Sequence, residues 1–101
     1  MLRVVLCLLG TLAMLGFGMA KADDRVGEFV VSSKAIMLDG EIGRSTIADF
    51  HRALSRLPGA KVLYLHSPGG DVDIALKLAA EVRQRGLSTV IPDGYACYSA
   101  C

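Results

Sequence analysis

The apolar positions of this chain keep one spacing for a stretch and then change to another, and each change marks an element. Val4 to Met19 is almost wholly apolar and has no period. Glu28 to Ser32 and Ala35 to Leu38 are short runs carrying Phe29, Val30, Val31, Ile36, Met37 and Leu38, with Asp39-Gly40 as a turn, and they predict two strands. The spacing then becomes helical. Ile47, Phe50, Leu54 and Leu57 lie on one face, Ser45 or Thr46 can cap the start, and Pro58-Gly59 stops the helix. Lys61 to His66 has apolar residues on both faces, the pattern of a strand in a parallel sheet covered by helices. From about Asp71 a second helix follows. Ile74, Ala75, Leu78, Ala79 and Val82 form its buried stripe, Lys77, Glu81, Arg83 and Gln84 face solvent, and Gly86 closes it. Leu87 to Ile91 is a last short strand, ended by Pro92-Asp93-Gly94, and Gly94 to Cys101 is expected to open a further helix.

Strand, helix, strand, helix, strand is the order of right-handed β-α-β units, so the fold class is α/β. A sheet that stops just as a helix begins leaves the apolar faces of its last strand uncovered. Residues 23–101 are therefore expected to be the N-terminal portion of a larger domain.

The apolar start has a different explanation. Met1-Leu2-Arg3 is a short basic beginning, Val4 to Met19 the apolar stretch, and Ala20-Lys21-Ala22 the small-x-small pattern that precedes cleavage, so residues 1–22 are expected to be a secretory signal. The competing reading, a membrane anchor, has an apolar run shorter than the roughly 18 residues a bilayer span needs. The expected location is exported and periplasmic, with membrane association through an uncleaved N-terminal segment as the alternative. Cys7 lies inside the apolar run and fits a lipid anchor poorly.

Charge and cysteine count narrow the function classes. Cleavage removes Arg3 and Lys21 but no acid, two of the chain's 11 basic residues against an unchanged 10 acidic ones. That balance gives no electrostatic footprint for nucleic acid. Cys97 and Cys101 are the cysteines left after cleavage, in a compartment where they can oxidise. Three readings of the pair stay open: a local bridge flanking Ser99, pairing with cysteines elsewhere in a longer chain, or two small buried residues. On a formed helix a local bridge would need a Cα separation near the upper end of the allowed range. Two cysteines without a second pair or spaced histidines fall short of a metal site, and no cofactor is expected. A single core of this size is marginal without staples or partners.

The candidate chemistry lies at two strand-to-helix junctions. In Ser67-Pro68-Gly69-Gly70-Asp71, Pro68 presets a tight turn, the glycines open backbone angles closed to other residues, and Asp71 can cap the helix. Free amides in such a turn hold a phosphate or an oxyanion, and the same motif serves equally as a plain connection. The second junction carries Ser99, at the same C-terminal edge of neighbouring parallel strands, where sites form in open α/β sheets. A serine nucleophile needs a His or Lys base within hydrogen-bond reach.

The run Leu63-Tyr64-Leu65-His66-Ser67-Pro68-Gly69-Gly70-Asp71, then a helix, a short strand and Gly94-Tyr95-Ala96-Cys97-Tyr98-Ser99-Ala100, resembles the Clp-protease/crotonase-type superfamily. The match is nearest to Clp-type serine peptidases, signal peptide peptidase A and related periplasmic proteins, and it covers roughly Ile36 to Cys101. The resemblance implies Ser99 as nucleophile, Gly70 as one oxyanion-hole donor with Gly69 shaping the turn, and the amide of Ala100 as the other donor. It implies a peptide or protein substrate, and a homo-oligomer for the full-length protein. Ala96-Cys97-Tyr98-Ser99 stands where the family has Ala-Ala-Ser, which moves the serine by one position. The family's base, a His or a Lys, follows the nucleophile. His51 is expected on a helix surface and His66 at a strand end, and neither matches a catalytic position. The 101-residue chain is therefore expected to be inactive or nearly so. The rival is a non-catalytic periplasmic binding or assembly module on the same fold. Acyl-coenzyme A chemistry would need a basic cluster for the nucleotide tail, and none stands out in the sequence.

Overall fold

The computed structural model describes residues 23–101, and the leader read over residues 1–22 lies outside them. Within the described residues the order is β1 (Asp24–Val26), β2 (Phe29–Val31), β3 (Ile36–Asp39), α1 (Thr46–Arg56), β4 (Val62–His66), α2 (Val72–Gln84) and β5 (Ser88–Val90). The five strands form one sheet in chain order, β1-β2-β3-β4-β5. Pairing is antiparallel from β1 to β3 and parallel from β3 to β5, so the fold is α/β with a mixed sheet. Strand β1 was not expected. It pairs with β2 across the two-residue turn Gly27-Glu28, and Asp24-Arg25 gives it a charged, exposed edge that hides it from a search for apolar runs.

The helices end where local chemistry predicts. Asp71 caps α2, its carboxylate accepting from the Ile74 amide at 3.0 Å. Helix α1 begins differently: the Ser45 side chain makes no cap bond, and Thr46 Oγ1 instead accepts from the Gly43 amide at 2.8 Å. The chain leaves α1 just ahead of Pro58-Gly59, and Gly86 follows the last turn of α2.

Side chains alternate across the sheet, and both helices lie on the face carrying Phe29, Ile36, Leu38 and Leu63. Phe50 of α1 is fully buried against Phe29, with ring centroids 5.6 Å apart. Leu78 is the fully buried residue of the α2 stripe; Ile74, Ala75 and Val82 are half-buried, and Ala79 is exposed. Glu81, expected in solvent, turns toward α1 and pairs with His51 at 2.6 Å. His51 is itself exposed on the helix surface.

The opposite face of the sheet corrects the expectation that β4 is covered by helices on both sides. There the register aligns Arg25, Val30, Met37, Tyr64 and Val90 in a row across all five strands. Val30, Met37 and Tyr64 are half-buried, and Val90 is exposed. Two successive crossovers in one direction put both helices on one side, and this leaves the other face without a helix among the described residues.

Residues Gly94–Cys101 also depart from expectation. They form turns and an isolated bridge between Cys97 and Ser67, not a helix. Hydrogen bonds to the end of β4 hold Ala96 and Tyr98 extended, and Ser99 takes a left-handed φ of 53°, which a helix cannot contain. No helix among the described residues is long and apolar enough to cross a membrane.

Phe50 joins α1 to the sheet by packing on Phe29 within the buried core. Phe50→Ala is expected to lower unfolding stability by about 3–5 kcal/mol, measured by urea titration of the folded protein.

Candidate active site

The parallel pairing of β3 with β4 does not stop at the strand ends. Gly40 donates to the His66 carbonyl at 3.0 Å, Ile42 to the Gly69 carbonyl at 2.8 Å, and Asp71 to the Ile42 carbonyl at 3.0 Å. The last two bonds flank Gly70 and bridge it to Ile42. In such a parallel bridge the N–H and C=O of Gly70 itself point away from Ile42. Space forbids a side chain here: with φ at 145°, a Cβ on Gly70 would lie 2.0 Å from the Ile42 oxygen.

On the other side of the turn Ser67 does the joining. It is buried, at 2 % exposure. Its amide donates to the Ala96 carbonyl at 2.9 Å, its carbonyl accepts from the Tyr98 amide at 3.0 Å, and its hydroxyl accepts from the Gly69 amide at 3.0 Å. The Gly69 amide is thereby engaged, and the role left to Gly69 is shape. A Cβ there would lie 2.8 Å from both the Ala100 nitrogen and the Ser99 Cβ, so only a glycine lets the two loops meet.

Ser99, Gly70, Gly69 and Ala100 are thus brought to one edge of the sheet. The amides of Gly70 and Ala100 have no protein acceptor among the described residues. Ser99 is exposed, at a backbone setting that costs an L-residue about 1–2 kcal/mol. The loop of Ser99 meets the Gly69-Gly70 turn, so a hydroxyl-bearing residue and two amides without a protein acceptor among the described residues share one edge, the residue types an acyl-transfer site uses.

Cys97 and Cys101 are joined by a disulfide, so of the three open readings the local bridge is the one formed. Their Cα atoms are 5.2 Å apart, in the middle of the allowed range, because residues 97–101 turn back at Ser99 where a helix would hold the pair further apart. The bridge makes a five-residue ring with Ser99 at its centre.

Neither histidine serves Ser99. His51 is occupied with Glu81. His66 ends β4; its Nδ1 accepts from the Ala96 amide at 3.1 Å, which places the ring proton on Nε2, and its ring lies 4.7 Å from that of Tyr95. A cavity of about 260 Å³ lies beside it, lined by Asp39, Gly40, His66, Pro68 and Tyr98 among others. A larger apolar trough, about 420 Å³, runs between α2 and the sheet and reaches Ala100 and Cys101. No group of three His, Cys, Asp or Glu among the described residues is placed to hold a metal ion.

The residue that sequence reasoning missed is Ser67, treated only as the first letter of the turn. A serine two residues before a glycine amide can form a side-chain turn, and that local signal was present. Its two backbone bonds to Ala96 and Tyr98, 29 and 31 positions away, left no trace in the local pattern.

Comparisons of the chain with protein-family models, with curated proteins and with solved structures found no match.

Gly70→Ala forces a side chain onto the Ile42 carbonyl. The substitution is expected to destabilise the fold by about 1–3 kcal/mol in urea unfolding and to shift the backbone amide resonances of Ile42 and Asp71 in an NMR spectrum.

Proposed function

We propose that this chain carries the nucleophile and oxyanion hole of an exported hydrolase of the Clp/crotonase type, a serine peptidase in its reaction class. Ser99 attacks the substrate carbonyl, and the amides of Gly70 and Ala100 receive the negative charge that develops on the carbonyl oxygen. Gly69 allows the two loops to approach. The observation that carries this reading is Ser99 itself, an L-residue at a φ of 53°, close against Gly69 and next in sequence to an amide without a protein acceptor among the described residues. Backbone settings of this kind persist where surrounding structure enforces them, and they gather at functional sites.

The general base in this reading is the His or Lys that follows the nucleophile in the family the chain resembles, and His51 and His66 are both engaged elsewhere. The substrate is a peptide or protein, and the full-length protein acts as an oligomer outside the cytoplasm. A second reading, a non-catalytic binding module, is favoured by one observation: the histidine nearest the turn, His66, spends its Nδ1 lone pair on the Ala96 amide and not on Ser99.

A fluorophosphonate probe separates the two. The full-length protein is expected to be labelled and Ser99→Ala to fall to background. Equal labelling of the variant removes Ser99 as the nucleophile, and a folded protein that takes no label supports the binding module.

A further inference from the structure

The loop that carries Ser99 is held unevenly. Up to Tyr98 it is tied to the end of β4 by the Ser67–Ala96, Tyr98–Ser67 and Ala96–His66 hydrogen bonds. Beyond Tyr98, one backbone bond remains in the loop, from the Cys101 amide to the Tyr98 carbonyl at 2.9 Å. That single turn has to keep Ser99 in a conformation that an L-residue disfavours. The disulfide supplies the missing constraint. It starts at Cys97, which is fixed by its bridge to Ser67, and ends at Cys101, which lines the apolar trough with Ala100. Ser99 and the Ala100 amide lie inside the ring it closes.

We infer that the Cys97–Cys101 disulfide is a positioning device and redox gate for Ser99. When oxidised, it holds the Ser99 side chain and the Ala100 amide against the Gly69-Gly70 turn. When reduced, the turn relaxes toward ordinary backbone angles and Ser99 loses its reactivity. This rests on the reading of Ser99 as a nucleophile. The gating reaction is thiol–disulfide exchange with a dithiol. One thiolate of the dithiol attacks a bridge sulfur and releases the other cysteine as a thiolate, and its second thiolate then resolves the mixed disulfide. The protein gains two electrons and two protons as two thiols, and the dithiol leaves as a cyclic disulfide. A chain exported to an oxidising compartment would be held in the active form, and any copy retained among reducing thiols would be silent.

The test follows fluorophosphonate labelling of the full-length protein before and after treatment with dithiothreitol, with free thiols counted in parallel. Reduction is expected to slow the maximal labelling rate about 100-fold, the scale of losing one oxyanion donor or displacing a reacting group by about an ångström. The half-saturating probe concentration is expected to stay unchanged, and reoxidation to restore the rate. The double variant Cys97→Ala, Cys101→Ala should behave as the reduced protein and ignore dithiothreitol; if it fails to fold, the reversible reduction of the unaltered protein still decides. An equal labelling rate with both thiols free overturns the gate and leaves the nucleophile assignment standing. If the oxidised protein takes no label at all, it is the nucleophile assignment that fails. The positioning role is then judged by NMR. A Ser99 Cβ resonance that moves on reduction while those of α1 stay fixed supports it, and an unmoved Ser99 overturns it.

Discussion

The site depends on one continuous piece of backbone pairing. The β3–β4 ladder runs past the ends of both strands, through Gly40 and Ile42 on one side and His66, Gly69 and Asp71 on the other. Ser67 then extends β4 toward Cys97 on the opposite side. The Ser-Pro-Gly-Gly turn is clamped from two directions, with Ile42 against one flank and the Ala96–Tyr98 segment against the other. A turn held this way does not choose its angles. The positive φ values at Gly69 and Gly70 follow from where Ile42 and Ser99 already are, and a side chain at either glycine would meet backbone, which has no rotamer to move aside.

Much of the fold was legible because its signals are local. The 3.6-residue recurrence of Ile47, Phe50, Leu54 and Leu57 marked α1, and Asp71 capped α2 as its position after Gly70 suggested. What escaped notice was set by residues far apart. Strand β1 is too charged to look like a strand until it is paired with β2. The Gly94–Cys101 segment has a composition that a helix tolerates, but Ser67 draws Ala96 and Tyr98 into extended pairing from 29 and 31 residues away. Helical spacing also misplaced the cysteines: four residues on a helix would set them nearly too far apart, and the turn at Ser99 brings them within bonding distance.

The candidate site was legible in its parts and not in its joints. Gly69, Gly70, Ser99 and Ala100 were named from two short motifs and the resemblance they carry, and the structure sets those two motifs side by side. The resemblance already gave Gly69 the shaping role and Gly70 the amide; what it did not contain is the bond that occupies the Gly69 amide, while that of Gly70 has no protein acceptor among the described residues. That bond is the Gly69 amide donating to the Ser67 hydroxyl at 3.0 Å.

The strand order has a further consequence for how the chain assembles. Among the described residues each strand pairs only with the one before it and the one after it, β1 through β5 in sequence. A polypeptide emerging from its N-terminus, from a ribosome or through a narrow pore, can therefore add each strand to a sheet edge already built, with no earlier strand waiting for a later one. The disulfide is equally local: it joins residues four positions apart, so its ring needs no distant partner to close. Within residues 23–101 the order of the sheet is the order of the sequence, and assembly can run in one direction.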